Sequence, residues 1–250
     1  MQSHSHSEIA NQKSISPRMP EYIMNPAATV EQVAHPDPNI RVYVVDNFLA
    51  NPELLVDYAE SKAYFGKVGD DRTVYPGIRD RLPGAYENVL TAGIELVYGQ
   101  CATTIHRCML SLTTLEPQQL SPAQRIPHTD AFGDDQFASV HYLCGPPHGG
   151  TAIYRYLPRD LVRLSNDDRE VVREMLQQVS EYPDEHRGYI AGDTGLYRQE
   201  VLIEARFNRL VFYPSNLLHC AVLNTEASLS DNVGTGRLTV ASFFQLGIPA

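Results

Sequence analysis

The 250-residue chain has an ordinary globular composition, with 43% apolar and 20% charged residues, and its length suffices for one large domain. Its formal net charge of -10 argues against a nucleic-acid or anionic-membrane binder. The four cysteines form no Cys-x-x-Cys pair, which favours free thiols in a reducing compartment over a zinc site. The sequence shows neither a membrane-length apolar run nor the apolar core of a signal peptide, so we expect a soluble, cytoplasmic protein.

Residues 1–38 predict a flexible N-terminal arm, because they are polar, contain several prolines and lack sustained periodicity. A single ordered domain is predicted over residues 39–250. It should begin with a strand in the run NIRVYVVDNFL, where apolar and β-branched residues are frequent.

Two helices are predicted after this first strand. The first should start after Asn51, which is a good N-cap, with Pro52 at the first helical position. The second fits Ala85–Tyr98, which has one apolar side and is followed by Gly99 as a stop signal.

The chain after Cys101 predicts mainly strands, because short runs rich in β-branched and aromatic residues alternate with Gly, Pro and Asn. A helical insertion near residues 160–182 interrupts them, with a capping-box start at Ser165 and Asp168. Helices followed by many short strands favour a mainly β fold of jelly-roll type, braced by helices. The link GPPHGG predicts a hairpin. The predicted strand runs are CMLSLTTL, FASVHYLC, GGTAIYRYL, RQEVLIEA, NRLVFY and GRLTVASFFQL.

Three His-x-acid tripeptides occur in the chain, so the motif alone is weak evidence for a metal site. His6-Ser7-Glu8 and His35-Pro36-Asp37 lie in the predicted arm, where no rigid surroundings would fix ligand geometry. Only His128-Thr129-Asp130 borders the strand-rich region. Residues i and i+2 of an extended segment share one face, so His128 and Asp130 can bind the same metal ion.

A third ligand has to come from a distant strand, and His219 in RLVFYPSNLLHCAV is the candidate. Its neighbour Cys220 should point the other way and is not counted as a ligand. Two imidazoles and one carboxylate form the ligand set of mononuclear non-haem iron and leave coordination positions open. The alternatives are a solvated loop histidine at His128 and a core histidine at His219. His141 and His148 are candidates to approach the site without binding the metal.

A family resemblance rests on three segments and their order. They are PHTDAFGDDQFASVHYLCGPPHGGTAIYRY, NRLVFYPSNLLHCAV and GRLTVASFFQL. In turn, these resemble the HxD strand with its following strands, the distal-histidine strand and the last core strand of Fe(II)- and 2-oxoglutarate-dependent dioxygenases of the prolyl-hydroxylase-like type. The likeness covers most of residues 40–246. It implies a cupin-like double-stranded β-helix that holds Fe(II) through His128, Asp130 and His219.

The resemblance also implies that 2-oxoglutarate binds the iron and that Arg237 holds its distal carboxylate, as a planar guanidinium can. Tyr142 and Ser111 are candidate hydroxyl donors to that carboxylate. In this type of enzyme the basic residue usually follows the distal histidine more closely, so we expect a longer loop before Arg237. The alternatives are a surface ion pair for Arg237 and a cosubstrate role for Arg209.

The activity implied by the resemblance is hydroxylation of a C–H bond in a small molecule, amino acid or peptide, with dioxygen consumed. Asp130 argues against halogenation, because halogenating relatives replace this carboxylate with a small residue. Two other interpretations stay open: a cupin-like metal dioxygenase without 2-oxoglutarate, and a catalytically silent barrel that serves as a binding module.

The region around the helical insertion also leaves alternatives open. It either covers the barrel mouth as a lid or packs at the periphery. Asp184 and Glu185 in this region indicate either an amine-bearing substrate or a solvated acidic loop.

Overall fold

The computed structural model describes residues 21–224 and 229–247. Within these ranges the chain forms three α-helices and ten β-strands. In chain order they are β1 (Thr29–Val33), β2 (Val42–Asp46), α1 (Glu53–Ser61), β3 (Gly77–Arg81), α2 (Ala85–Tyr98), β4 (Thr103–Thr113), β5 (Gln136–Tyr142), β6 (Gly150–Tyr156), α3 (Arg169–Glu181), β7 (Tyr197–Glu204), β8 (Arg209–Pro214), β9 (His219–Val222) and β10 (Leu238–Leu246). Among the described helices, none combines the length and hydropathy that crossing a membrane requires.

The strands form two antiparallel sheets. The large sheet has the order β1-β2-β8-β5-β10-β4-β3, and the small sheet has the order β7-β6-β9. A backbone bridge between His128 and His219 extends the small sheet beyond β9. From β4 onward the chain passes repeatedly from one sheet to the other. This winding of two antiparallel sheets is a double-stranded β-helix, or jelly roll, so the predicted fold class is confirmed.

Apolar side chains from both sheets fill the space between them. Tyr142 of β5 and Val211 of β8 come from the large sheet, and Ile153 of β6 and Ile203 of β7 come from the small sheet. Alternation along each strand sends the intervening residues of the large sheet, such as Phe212, to the opposite face. The barrel therefore has an inner wall that is separate from the helix-covered face.

Helices cover the outer faces of both sheets. Leu55 of α1 and Leu90 of α2 are fully buried against the large sheet. Met175 of α3 packs against the outer face of the small sheet, where the Tyr156 hydroxyl lies 2.8 Å from Glu174 Oε1 and 2.6 Å from Gln178 Oε1. These contacts pack α3 against the outer face of the small sheet.

The helix predictions agree with the structure except at one cap. The second helix has the predicted bounds, and Gly99 follows it with a φ of 78°. The first helix has no side-chain cap, so the N-cap prediction for Asn51 is wrong. Instead, the Asn51 side chain accepts a hydrogen bond from Ile23 N (3.1 Å) and donates to Glu21 O (2.9 Å). Asn51 thereby fastens the N-terminal segment to the domain.

The predicted arm boundary at residue 38 is wrong, because residues 21–38 belong to the fold. Strand β1 pairs with β2 along its length, and Tyr22 is buried in the core. His35 lies 3.2 Å from Glu200, with both side chains 1% exposed. The exposed residues of β1 give no hydrophobic period, so backbone pairing orders a segment that looks featureless in sequence. Residues 1–20 of the predicted arm lie outside the described residues.

The link GPPHGG is not a hairpin turn. The short 3-10 helix Pro146–His148 carries the chain from β5 in the large sheet to β6 in the small sheet. Gly149 has a φ of +84°, and a Cβ there would lie 2.0 Å from Val222 O. A Cβ on Gly150 would lie 2.1 Å from Ile203 O. The glycines therefore allow β6 to lie closely between β7 and β9.

We expect Asn208→Ala to lower the free energy of unfolding by about 2–4 kcal/mol. The buried Asn208 side chain accepts from Leu49 N (2.9 Å) and donates to Leu49 O (2.8 Å), and its backbone has a φ of 63°. Alanine would leave two backbone groups without partners and would strain a left-handed turn. Urea denaturation measures the change.

Asn208→Gly is the matched variant for this test. Glycine relieves the backbone strain but not the lost hydrogen bonds, so we expect a loss smaller than that of alanine. Unfolding curves of Asn208→Ala that overlay those of the wild type would contradict the assignment.

Candidate metal centre

His128, Asp130 and His219 come together on the inner wall of the barrel. One ligand atom from each residue lies within 4.8 Å of the others, and this is the one such group found among the described residues. Asp130 Oδ2 is 3.3 Å from His219 Nε2, and Asp130 Oδ1 is 3.8 Å from His128 Nε2. The arrangement presents two imidazole nitrogens and a carboxylate to one point.

Backbone pairing positions these three side chains. The His128 and His219 main chains exchange two hydrogen bonds of 2.9 Å, and Asp130 N donates to Ser215 O (2.8 Å). His219 Nδ1 lies 2.9 Å from Leu217 O. A carbonyl oxygen only accepts, so Nδ1 carries a proton and Nε2 faces Asp130.

The electrostatics of the three groups differ. Burial, with the nearby charge of His219, lowers the pKa of His128 to about 4. Burial alone would raise the pKa of Asp130, but the two histidines hold it below its ordinary value. Burial alone would lower the pKa of His219, but Asp130 raises it above its ordinary value. At neutral pH the site therefore holds a neutral imidazole at His128 and a carboxylate at Asp130.

The His128 side chain is 46% exposed, whereas the side chain of Asp130 is 17% exposed. A cavity of about 150 Å³ lies on one side of His128, lined by Leu218 and by Val172 and Met175 of α3. Asp130 lines a second cavity of about 340 Å³. Two of the candidate ligands, His128 and Asp130, are thus accessible to small molecules.

Arg237 is buried in the barrel interior, with 3% of its surface exposed. Its Nη2 donates to Gly150 O (3.1 Å), its Cζ lies 5.5 Å from the Tyr142 ring centroid, and its Nε has no hydrogen-bond partner. Among the described residues no carboxylate pairs with it, which excludes the surface ion pair considered above. An unpaired buried guanidinium is costly, so this environment indicates an anionic ligand.

Arg209, the alternative cosubstrate residue, is already neutralised. Its Nε and Nη2 bind the two Asp46 carboxylate oxygens at 2.6 and 2.8 Å. This bidentate pair joins β8 to β2 at the sheet. The charge of Arg209 is therefore used within the protein.

Tyr142 and Ser111 lie in one row across three strands, because both are register partners of Thr239 on β10. The Tyr142 hydroxyl is 2.5 Å from Thr151 Oγ1. Ser111 Oγ donates to Met109 O (3.2 Å) and accepts from Arg79 Nε (3.1 Å). Tyr142 thus contacts Arg237, whereas the hydroxyl of Ser111 binds Arg79.

The remaining candidates lie away from the triad. His141 faces the helices, where its ring nitrogens lie 3.2 Å from the Tyr86 hydroxyl and 3.2 Å from Asn208 Oδ1. Cys220 packs on the outer side of the small sheet with Tyr154, as alternation predicts. His148 lies in the short helix between the two sheets.

A family model matches residues 26–244, which is most of the chain. The chain belongs to DUF6445, a family of unknown function. A search of curated proteins found no match.

Several solved structures are similar to the chain at low sequence identity. The non-heme alpha ketoglutarate dependent epimerase SnoN from nogalamycin biosynthesis is 11% identical, with a TM-score of 0.47 over 82% of this chain and 76% of that one. HygX from Streptomyces hygroscopicus, with nickel and 2-oxoglutarate bound, is 12% identical, with a TM-score of 0.44 over 82% of each chain. A 2OG-Fe(II) oxygenase family oxidoreductase from Burkholderia pseudomallei is 10% identical, with a TM-score of 0.42 over 82% of this chain and 84% of that one. Because these values are low, the function of this DUF6445 chain is inferred below from its own residues.

Sequence reasoning missed three side chains around the triad. The Tyr213 ring lies 4.6 Å from the His219 ring, and the charges of Asp130 and Arg237 both act on its hydroxyl. Arg79 lies over the Tyr75 ring at 4.0 Å and contacts Asp71 at 3.3 Å. The third residue, Arg107, lines the cavity beside Asp130.

One of these residues had a usable signal in the sequence. Arg107 shares its strand face with Ser111, since the two are four positions apart on β4. Arg79 lies on β3, a strand that composition did not indicate. The strand run that contains Tyr213 was predicted, but its inward-facing side was not assigned.

We expect the His128 imidazole of the metal-free protein to have a pKa of about 4 and the His219 imidazole to have a pKa above its ordinary value. Asp130→Asn should lower the pKa of His219, because the Asp130 carboxylate is what raises it. Side-chain ¹H–¹⁵N NMR against pH measures both groups. Asp184→Asn, which changes an exposed carboxylate elsewhere, should leave both titrations unchanged. A His219 titration that does not move in Asp130→Asn would refute this account of the site.

Proposed function

We propose that this chain is an Fe(II)- and 2-oxoglutarate-dependent oxygenase that hydroxylates a C–H bond of a small-molecule, amino-acid or peptide substrate. One observation carries the proposal: a triad of two histidines and one aspartate shares the barrel interior with a buried arginine that has no counter-ion among the described residues. The triad suits a metal, and the arginine suits the carboxylate of a cosubstrate.

The donor set fits Fe(II). Two imidazoles and one carboxylate on one side of a metal leave positions for other ligands, which is the pattern of non-haem iron oxygenases. The bond from His219 Nδ1 to Leu217 O fixes the ring and directs Nε2 toward Asp130. The lowered pKa of His128 keeps that ligand neutral at pH 7 without help from the metal.

The surroundings of Arg237 fit 2-oxoglutarate. Its guanidinium would bind the distal carboxylate, which would supply the missing counter-charge and a partner for Nε. The Tyr142 ring lies against the guanidinium and restricts its orientation. Tyr213 links the two parts of the site. Its ring contacts His219, and the positive charge of Arg237 acts on its hydroxyl to lower the pKa.

When bound, Fe(II) and 2-oxoglutarate supply the oxidising chemistry, with dioxygen consumed and succinate and carbon dioxide released. Apolar side chains fill much of the space between the two sheets, which would limit water around the reacting centre. Asp130 keeps the third protein ligand in place, which favours hydroxylation over halogenation.

Each of the two alternative functions leaves one feature of the site unexplained. A cupin-like dioxygenase without 2-oxoglutarate gives no reason for an unpaired arginine inside the barrel. A silent barrel gives no reason for three ligand atoms converging within 4.8 Å.

Removing a triad residue should weaken metal binding. We expect His219→Ala and Asp130→Ala each to reduce Co(II) or Fe(II) affinity by about 100-fold or more, since each removes a direct ligand. Anaerobic titration followed by Co(II) absorption measures the affinity. Asp184→Ala, which removes an exposed carboxylate outside the triad, is the matched control. Unchanged affinity in His219→Ala would remove that residue from the ligand set.

Removing Arg237 should weaken cosubstrate binding without affecting the metal. We expect Arg237→Met to bind 2-oxoglutarate about 30-fold less tightly, because a buried charge pair is lost, and Arg237→Lys to lie between it and the wild type. The anaerobic visible absorption of the Fe(II)–2-oxoglutarate complex reports binding. Arg206→Met, at an exposed arginine, is the control.

Two outcomes of this experiment would contradict the proposal. Absence of the absorption band in the wild type, although iron is bound, would sink the 2-oxoglutarate function. Equal bands in the wild type and in Arg237→Met would exclude Arg237 as the cosubstrate residue and favour another anchor.

A further inference from the structure

A cavity of about 340 Å³ lies at the end of the barrel where Asp130 is located. This volume is in the range that holds a small organic ligand. Its wall combines a metal-ligand candidate with aromatic and charged side chains: Asp130, Arg107, Phe137, Ser215 and Phe243. A molecule in this cavity would lie next to the triad.

Arg107 reaches this cavity because of an irregularity in the sheet. On β10, Phe243 pairs with Arg107 and Phe244 pairs with Ile105, so His106 is an extra residue on β4. Such a bulge bends a strand and redirects its side chains, and bulges are frequent next to active sites. The Arg107 Cζ lies 4.5 Å from the centroid of the Phe243 ring. The guanidinium is thereby held against an aromatic face at the cavity wall.

The charge of Arg107 is not neutralised by the protein. The chain has 30 acidic and 20 basic residues, and neighbouring arginines are paired: Arg79 with Asp71 and Arg209 with Asp46. Arg107 has no ion pair or hydrogen bond with any described residue. A partly buried guanidinium on an aromatic ring, with its donors free, is suited to bind a planar anion.

We propose that Arg107 binds a carboxylate of the substrate, so that the substrate is a monocarboxylic acid whose apolar body lies along Phe243. The proposal rests on the function assigned above, because it places the bound molecule beside the iron ligands. A monoanion suits the cavity better than a phosphate dianion. Arg107 supplies one positive charge at the cavity wall, and the Asp130 carboxylate on the same wall would repel a second negative charge.

The contacts of Asp184 and Glu185 argue against an amine-bearing substrate. Asp184 is exposed and pairs with Arg187, and Glu185 accepts a hydrogen bond from Gly195 N (3.2 Å). Neither lines the cavity beside Asp130. The acidic residues of this region therefore form local contacts, and the one carboxylate that lines the cavity, Asp130, is the candidate metal ligand.

Arg107 and Arg237 serve different anions. Arg107 lies opposite Phe243, six residues along β10 from Arg237, which corresponds to about 20 Å of extended chain. One small dicarboxylate bound at Arg237 cannot also occupy the Arg107 guanidinium. The interior thus holds one arginine for the cosubstrate and a second for the substrate.

Binding of 3-phenylpropionate to the full-length, metal-free protein tests the proposal, with saturation-transfer NMR or calorimetry as the readout. We expect binding to the wild type and to Arg237→Met, and at least about tenfold weaker binding to Arg107→Met. Arg107→Lys should be intermediate, because it keeps the charge but loses the planar fork. Arg173→Met, at an exposed arginine on α3, should bind as the wild type does.

Two matched probes define the chemistry. The neutral amide 3-phenylpropanamide and the dianion phenyl phosphate should bind at least about tenfold more weakly than the acid. Equal binding of acid and amide, equal binding of the acid by wild type and Arg107→Met, or no binding of the acid at millimolar concentration would each overturn the proposal.

The result is independent of the metal. Arg107→Met should still give the absorption band of the Fe(II)–2-oxoglutarate complex, which also shows that the variant is folded. If acid binding depends on Arg107 but the wild type gives no band, the carboxylate site stands and the oxygenase function falls.

Discussion

The backbone pairing between His128 and His219 is the contact on which the site depends. These residues belong to segments far apart in the sequence, and two hydrogen bonds of 2.9 Å place them side by side. This pairing also fixes the position of Asp130, which lies two positions after His128 on the same extended segment. The Asp130 backbone N–H donates a further hydrogen bond to Ser215 O. Without this junction at the edge of the small sheet, the three side chains would have no common point.

The second constraint on the structure is the burial of positively charged arginine side chains. The chain carries a net charge of -10, yet Arg237 and Arg107 have no carboxylate partner in the part of the chain that the structure describes. Burial makes such groups costly, so a fold that keeps Arg237 inside is stabilised when an anion binds there. Arg107 is less buried and lies on an aromatic ring, which suits a ligand that enters and leaves. The average charge of the chain therefore does not describe the surroundings of these two arginines.

Much of the fold could be predicted from local pattern. The α2 bounds, the strand runs of β4 to β8 and β10, and the shared face of His128 and Asp130 follow from periodicity and turn residues, whereas β9 was not among the predicted runs. The errors have one cause. Strand β1 is ordered by pairing with β2, Asn51 binds the N-terminal segment instead of its helix, and GPPHGG passes between sheets. Each depends on a partner distant in sequence, which local propensity does not specify.

By itself, the sequence determined which residue types were available and which shared a strand face. It provided two histidines, one aspartate and an arginine in an order that resembles a known type of oxygenase. Only the tertiary structure decided which arginines lack counter-ions, because pairing of Arg209 with Asp46 and of Arg79 with Asp71 requires strands and loops to meet. A side chain's chemistry is local, but the neutralisation of its charge depends on the groups that folding places around it.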